Sequence, residues 1–180
     1  MDTTRSDAAP GFRPTIQGYL PDVVYGANDG IVTTLVVIAS VSGAALTSTV
    51  ILVLGIANLV ADGFSMGTSN VLSVRSTLTA ATRPPLRVAS RNGAVTFAAF
   101  VLAGLLPLSA YLVPLAEPVR LPAACLLAAV ALFGIGACRS LFSDRGWFVA
   151  GLEMLTLGTI ASLVAYAIGA AAAALVGGAA

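Results

Sequence analysis

The 180-residue chain is 58% hydrophobic and 9% charged, with a net charge of +1 and a mean hydropathy of +0.96. This composition excludes a soluble globular domain, describes an all-α integral membrane protein, and offers no basic cluster dense enough for nucleic acid. Histidine is absent, so the commonest metal ligand and proton shuttle is missing, and such chemistry falls to carboxylates, hydroxyls, amides and thioethers. Residues 1–21 are polar and interrupted by Pro and Gly; lacking the apolar core of a cleavable signal, they read as a cytoplasmic tail. Residues 22–180 read as one membrane domain of five transmembrane helices.

Hydropathy predicts a first span from Val23 to Ser42 and a second from Thr49 to Ser73, joined by the small turn GAALTS. The third runs from Ala94 to Val113, where Pro107 should introduce a kink, and PLAEPVRLP reads as a tight turn before the fourth. The fourth covers Leu121 to Cys138, and the fifth Trp147 to Gly169. Cys125 and Cys138 lie on roughly opposite faces of the fourth span and read as buried packing residues.

All nine basic residues are arginine. Arg5, Arg13, Arg75, Arg83, Arg87, Arg91, Arg139 and Arg145 fall on one side of a five-span topology, and only Arg120 on the other. Since basic residues favour the cytoplasmic side, the N-terminus is expected in the cytosol and the C-terminus opposite.

Between Val23 and Val74 the only charged residues are Asp29 and Asp62. An ionised Asp at the centre of a membrane helix costs roughly 2.5 to 3.5 kcal/mol on insertion scales, so each needs a cation, a proton or a polar cluster. On the second span Asp62, Met66, Ser69 and Ser73 share a face, which Gly55 and Asn58 extend. On the first, Asp22, Asp29 and Thr33 share a line. Thr33, Ser65, Ser69 and Asn70 read as interhelical hydrogen-bonding groups. Glu153 lies about two turns into the fifth span, beside Trp147. Gly26 and Gly30 form a GxxxG that either packs closely on a neighbouring helix or makes a self-association seam bringing Asp29 to its symmetry mate.

Carboxylates beside a thioether suit a divalent first-row metal, Fe2+ or Mn2+, better than Mg2+ or Ca2+. No GxxxxGK(S/T) loop for ATP and no nucleophile paired with a base occurs, so neither a primary pump nor an enzyme is expected.

YGANDGIVTTLVVIASVSGA followed by GIANLVADGFSMGTSNVLSVRS resembles the first two spans of the vacuolar iron transporter family, and TFAAFVLAGLLPLSAYL and GLEMLTLGTIASLVAYAIG continue the likeness. The resemblance implies a five-span homodimer that carries Fe2+, and often Mn2+, out of the cytosol in exchange for protons, along a path at the dimer interface, with no tightly bound cofactor. By that resemblance Asp29 and Met66 match the family's pathway residues. Asn58 stands where the family has a glutamate, and Asp62, one turn on, would supply the missing charge. The expected metal-handling set is therefore Asp29, Asp62, Met66, Asn58 and Glu153.

The family's Glu-rich cytosolic helical domain is here replaced by STLTAATRPPLRVASRNG, and no acid occurs between Asp62 and Glu117. The chain thus looks like the short nodulin-like members. Two other readings stay open: a non-transporting scaffold or assembly subunit, and a proton leak that gives Met66 no role. The Arg-only, Ala-rich composition suggests a bacterial inner membrane; in a eukaryote a vacuolar-type membrane is expected.

Overall fold

The computed structural model describes residues 16–76, 84–142 and 145–177. Arg5, Arg13 and Arg83, with the tail up to residue 15, lie outside the described residues. The elements are α1 (Ile16–Gly43), α2 (Ser48–Ser76), α3 (Leu86–Leu112), α4 (Glu117–Arg139), a short 3-10 turn (Ser140–Phe142) and α5 (Trp147–Gly177). No strand occurs among the described residues. All five α-helices are long and apolar enough to cross a membrane.

Most helix ends outrun the predicted spans, although α3 stops at Leu112, one residue short of the predicted end, and α5 starts at Trp147 as predicted. Hydropathy marks only the stretch that matches about 30 Å of hydrocarbon, whereas the backbone hydrogen-bond ladder continues into the polar flanks. The apparent turn before the fourth span is a correction of this kind. α4 begins at Glu117, so Pro118 sits in its first turn, where the missing N–H removes no intrahelical bond. At Pro107 the helix likewise continues, reaching Leu112.

α1 closes with Ala45 in a left-handed conformation (φ 54°). Leu46 N–H donates to Val41 O at 3.1 Å and Ala45 N–H to Ser42 O at 3.0 Å, a Schellman cap at a position that usually carries glycine. Gly43 has a different duty: a Cβ there would collide with the Tyr166 carbonyl of α5.

α1 is the hub, touching each of the other four helices, while α2 and α5 flank it without touching one another. Its closest partner is α3. A Cβ on Gly26 would lie 2.7 Å from the Thr96 carbonyl oxygen, one on Gly30 would overlap the Phe100 carbonyl oxygen, and one on Gly104 would lie 2.7 Å from the Gly30 carbonyl oxygen. The GxxxG of α1 is therefore occupied within the protomer. Around this seam Phe100, Ile31, Ile38 and Leu108 are fully buried.

Connections alternate between the two ends of the bundle. At one end Ser48 donates to Glu117 at 2.9 Å, tying the start of α2 to that of α4. Arg120 pairs with Glu117 there and donates through Nε to the Leu115 carbonyl at 3.0 Å. Cys125 and Cys138 are both exposed on α4 rather than buried. A free thiol is apolar enough to face acyl chains, so an outward position in a membrane helix carries little cost.

Candidate functional site

At the opposite end from Glu117, three helices converge on a polar cluster. Asn70 of α2 donates through Nδ2 to Asp22 Oδ1 of α1 at 2.8 Å and to Thr96 Oγ1 of α3 at 2.7 Å. Thr96 passes its own proton to the Asn92 carbonyl at 3.0 Å. Both amide hydrogens are used, so Asn70 fixes the spacing of all three helix ends. Asn92 Oδ1, next in this chain, is buried without a hydrogen-bond partner.

The cluster forms the floor of an open groove of about 400 Å³, lined by Asp22, Tyr25, Met66, Ser69, Asn70 and Thr96. On α2 the polar positions Asn58, Asp62, Met66 and Asn70 recur every four residues, one per turn, so the stripe leads from the groove toward the helix centre. Asp29 is seven residues beyond Asp22, about 10 Å along the axis of α1. It is exposed on the protomer surface, and its charge is within electrostatic reach of Asp62.

The structure thus divides the five predicted residues. Asp29 and Asp62 lie within electrostatic reach of one another; Met66 lies one turn from Asp62 in the groove that also holds Asp22; half-buried Asn58 is one turn beyond Asp62. Glu153 belongs elsewhere. It pairs with Arg145 and, at 3.5 Å, with Arg139, on a helix that does not touch α2. Both arginines compete with any cation for that carboxylate. Beside it Phe133, Trp147 and Phe148 meet edge to face, with ring centroids 5.8 to 6.2 Å apart.

Asp22, Asn70 and Thr96 are the site residues that the sequence reading left out of the metal-handling set. Asp22 had a signal, its spacing of seven from Asp29, and Asn70 was correctly read as an interhelical hydrogen-bonding group. Thr96 carried none, because its role depends on the register of α3 against α1. Among the described residues no group of three or more His, Cys, Asp or Glu could hold a metal ion. One protomer offers a pair of carboxylates, and further ligands would come from amides, hydroxyls, the thioether, water or a second copy.

Replacing Asn70 by Ala should strip Asp22 of its donor and leave Thr96 Oγ1 with one partner fewer. The expected loss is about 1 to 3 kcal/mol, read as a lower thermal midpoint in detergent. Ser69→Ala, on an exposed neighbour, should leave the midpoint unchanged.

Five helices long and apolar enough to span a bilayer, with Asp29 and Asp62 set within the first two, define a multi-pass membrane protein. The profile of the VIT family matches residues 20–83 and 77–170, so the chain belongs to that family. A protein named "Vacuolar iron transporter" from Toxoplasma gondii (strain ATCC 50861 / VEG) is 41% identical over 59 residues, which cover 33% of this chain. The match spans 20% of that relative's own length.

Proposed function

We propose that the protein moves a divalent metal ion, Fe2+ or Mn2+, out of the cytosol in exchange for protons, and that it does so as a homodimer. The observation that carries this reading is that Asp29 and Asp62, set within two neighbouring apolar helices, lie within electrostatic reach of one another. Two carboxylates so placed repel, and the repulsion is relieved by a divalent cation or by a proton. Exchange of one for the other is then the natural cycle: metal bound to both, or protons in its place. Membership of the VIT family and the name of the Toxoplasma relative support metal as the cargo.

Asp22, held by Asn70, would receive the ion from the cytosol. Met66 and then Asp62 with Asp29 would pass it inward, with the thioether favouring Fe2+ and Mn2+ over harder cations. An exposed Asp29 is too costly against lipid, which supports a second copy covering this side of α1 and α2. Gly26 and Gly30 face α3, so the proposed dimer would meet through the open surface around Tyr25 and Asp29 instead of the GxxxG seam. A cytoplasmic groove is supported by the arginines: Arg75, Arg87, Arg91, Arg139 and Arg145 lie in or beside the connections at its end, and Arg120 at the other.

Transport is tested in liposomes of purified protein with its cytoplasmic face outward. Fe2+ or Mn2+ should accumulate inside when the lumen is acidic, and each pH unit should raise accumulation by up to about tenfold per proton exchanged, since one unit corresponds to about 1.4 kcal/mol. A protonophore should abolish the gain. Accumulation indifferent to the gradient rules out proton coupling. No metal movement by folded protein favours the scaffold reading, which the absence of a three-acid cluster within the described protomer also supports.

A further inference from the structure

A second groove, of about 290 Å³, runs between α2 and α3 and is lined by Phe64, Val71 and Leu72 on one wall and Ser90, Ala94 and Phe97 on the other. It is open to the outside, with Phe64 69% and Leu72 63% exposed. On α2 Phe64 and Val71 lie on the side opposite the Asp62, Met66, Ser69 and Ser73 stripe, Phe64 two residues from Asp62 and Val71 two from Ser69, each about 160° around, while Leu72 lies between the two faces. A second copy covering the carboxylates therefore leaves this groove facing the bilayer.

Three arginines, Arg75, Arg87 and Arg91, lie within about a turn of the groove's lining residues near the α2–α3 connection. Arg75 follows Leu72 by three residues and Thr68 by seven, so it shares their face of α2. Arg87 precedes Ala94 by seven and shares its face of α3, with Arg91 one turn further along. Arg87 and Arg91 are exposed, and none of the three arginines forms an ion pair among the described residues. The sequence supplies no local acid either, because residues 63–116 contain none. Three cations with no ion-pair partner among the described residues, near one end of an apolar slot, match one chemistry: an anionic headgroup joined to an acyl chain.

We propose that the α2–α3 groove binds an anionic phospholipid, with its phosphate held by Arg75, Arg87 and Arg91 and one acyl chain lying against Phe64, Leu72 and Phe97. The lipid would bridge the two helices on either side of the connection from 77 to 83, and so brace α2, which carries Asp62 and Met66. This binding is independent of metal movement and stands or falls separately from it.

The test uses the full chain in neutral detergent, titrated with phosphatidylglycerol or with phosphatidylcholine of the same acyl length, and followed by native mass spectrometry and thermal midpoint. Phosphatidylglycerol should bind and raise the midpoint, and phosphatidylcholine should do neither. Each basic side chain near an anionic headgroup contributes a factor of about five, so combined Arg75→Gln, Arg87→Gln and Arg91→Gln should weaken binding roughly a hundredfold. Arg120→Gln, at the other end of the bundle, should leave it intact. Ala94→Trp, which fills the groove, should weaken long-chain lipid while retaining all three cations. Equal binding of both lipids, full binding by the triple variant, or equal stabilisation by inorganic phosphate alone would each overturn the proposal.

Discussion

Asp29→Asn protein, reconstituted as wild type, is expected to lose metal movement by at least about a hundredfold while keeping its folded yield and thermal midpoint. Asn preserves the shape of the side chain and removes only the charge. Loss of an outer-shell partner alone lowers metal affinity about 10- to 100-fold in metalloproteins, and the carboxylate proposed here touches the cargo itself. Folding should not suffer, because Asp29 is exposed in the protomer and makes no ion pair among the described residues. The neutral side chain also removes its repulsion with Asp62. Asp62→Asn should reduce flux as well, with the Asp29 carboxylate left to act alone. Unchanged flux in Asp29→Asn removes the aspartate pair from the mechanism; lost flux with collapsed yield assigns Asp29 to folding.

The contrast between what could and could not be read from the sequence has a physical origin. Five spans were legible because apolar runs of membrane length have few alternative readings. Their ends were not, since Ser76 and Leu86 belong to helices whose hydrogen bonding extends past the apolar stretch. Pro118 misled for a related reason: proline breaks a helix interior but suits its first turn, and only the backbone shows which applies. Asp29 and Asp62 were each legible as groups needing a partner through their cost in hydrocarbon, but not as neighbours of one another. The depth of Glu153 was read by the same logic, yet depth does not specify a neighbour. With α5 and α2 on separate flanks of α1, that carboxylate finds Arg139 and Arg145. Asn70 likewise announced an interhelical bond without naming Asp22 and Thr96 as its partners.

The GxxxG of α1 leads to the other large expected effect. Gly30→Leu should prevent accumulation of folded protomer, and Gly30→Ala should lower stability by about 1 to 3 kcal/mol or more, the usual range for overpacking a close contact. The atom that a new Cβ would meet is the Phe100 carbonyl oxygen, part of a helix backbone that has no rotamer with which to move aside. Gly134 on α4 supplies the comparison: nothing lies within 4 Å of a Cβ there, so Gly134→Ala should be neutral or slightly stabilising through its better helix propensity. Thermal unfolding in detergent reads the difference, and size-exclusion chromatography identifies which interface was disturbed. Were Gly30 part of a seam between copies, its substitution would release stable monomers. Because it packs on α3, the expected outcome is a weakened protomer with no such release. Metal movement should fall with it: Asp29 is the residue before Gly30, about 100° around the same helix, so displacing α1 from α3 swings the carboxylate away from Asp62. The close packing of α1 on α3 and the pairing of the two aspartates are therefore one structural requirement, and Gly30→Ala should impair both where Asp29→Asn impairs only the second.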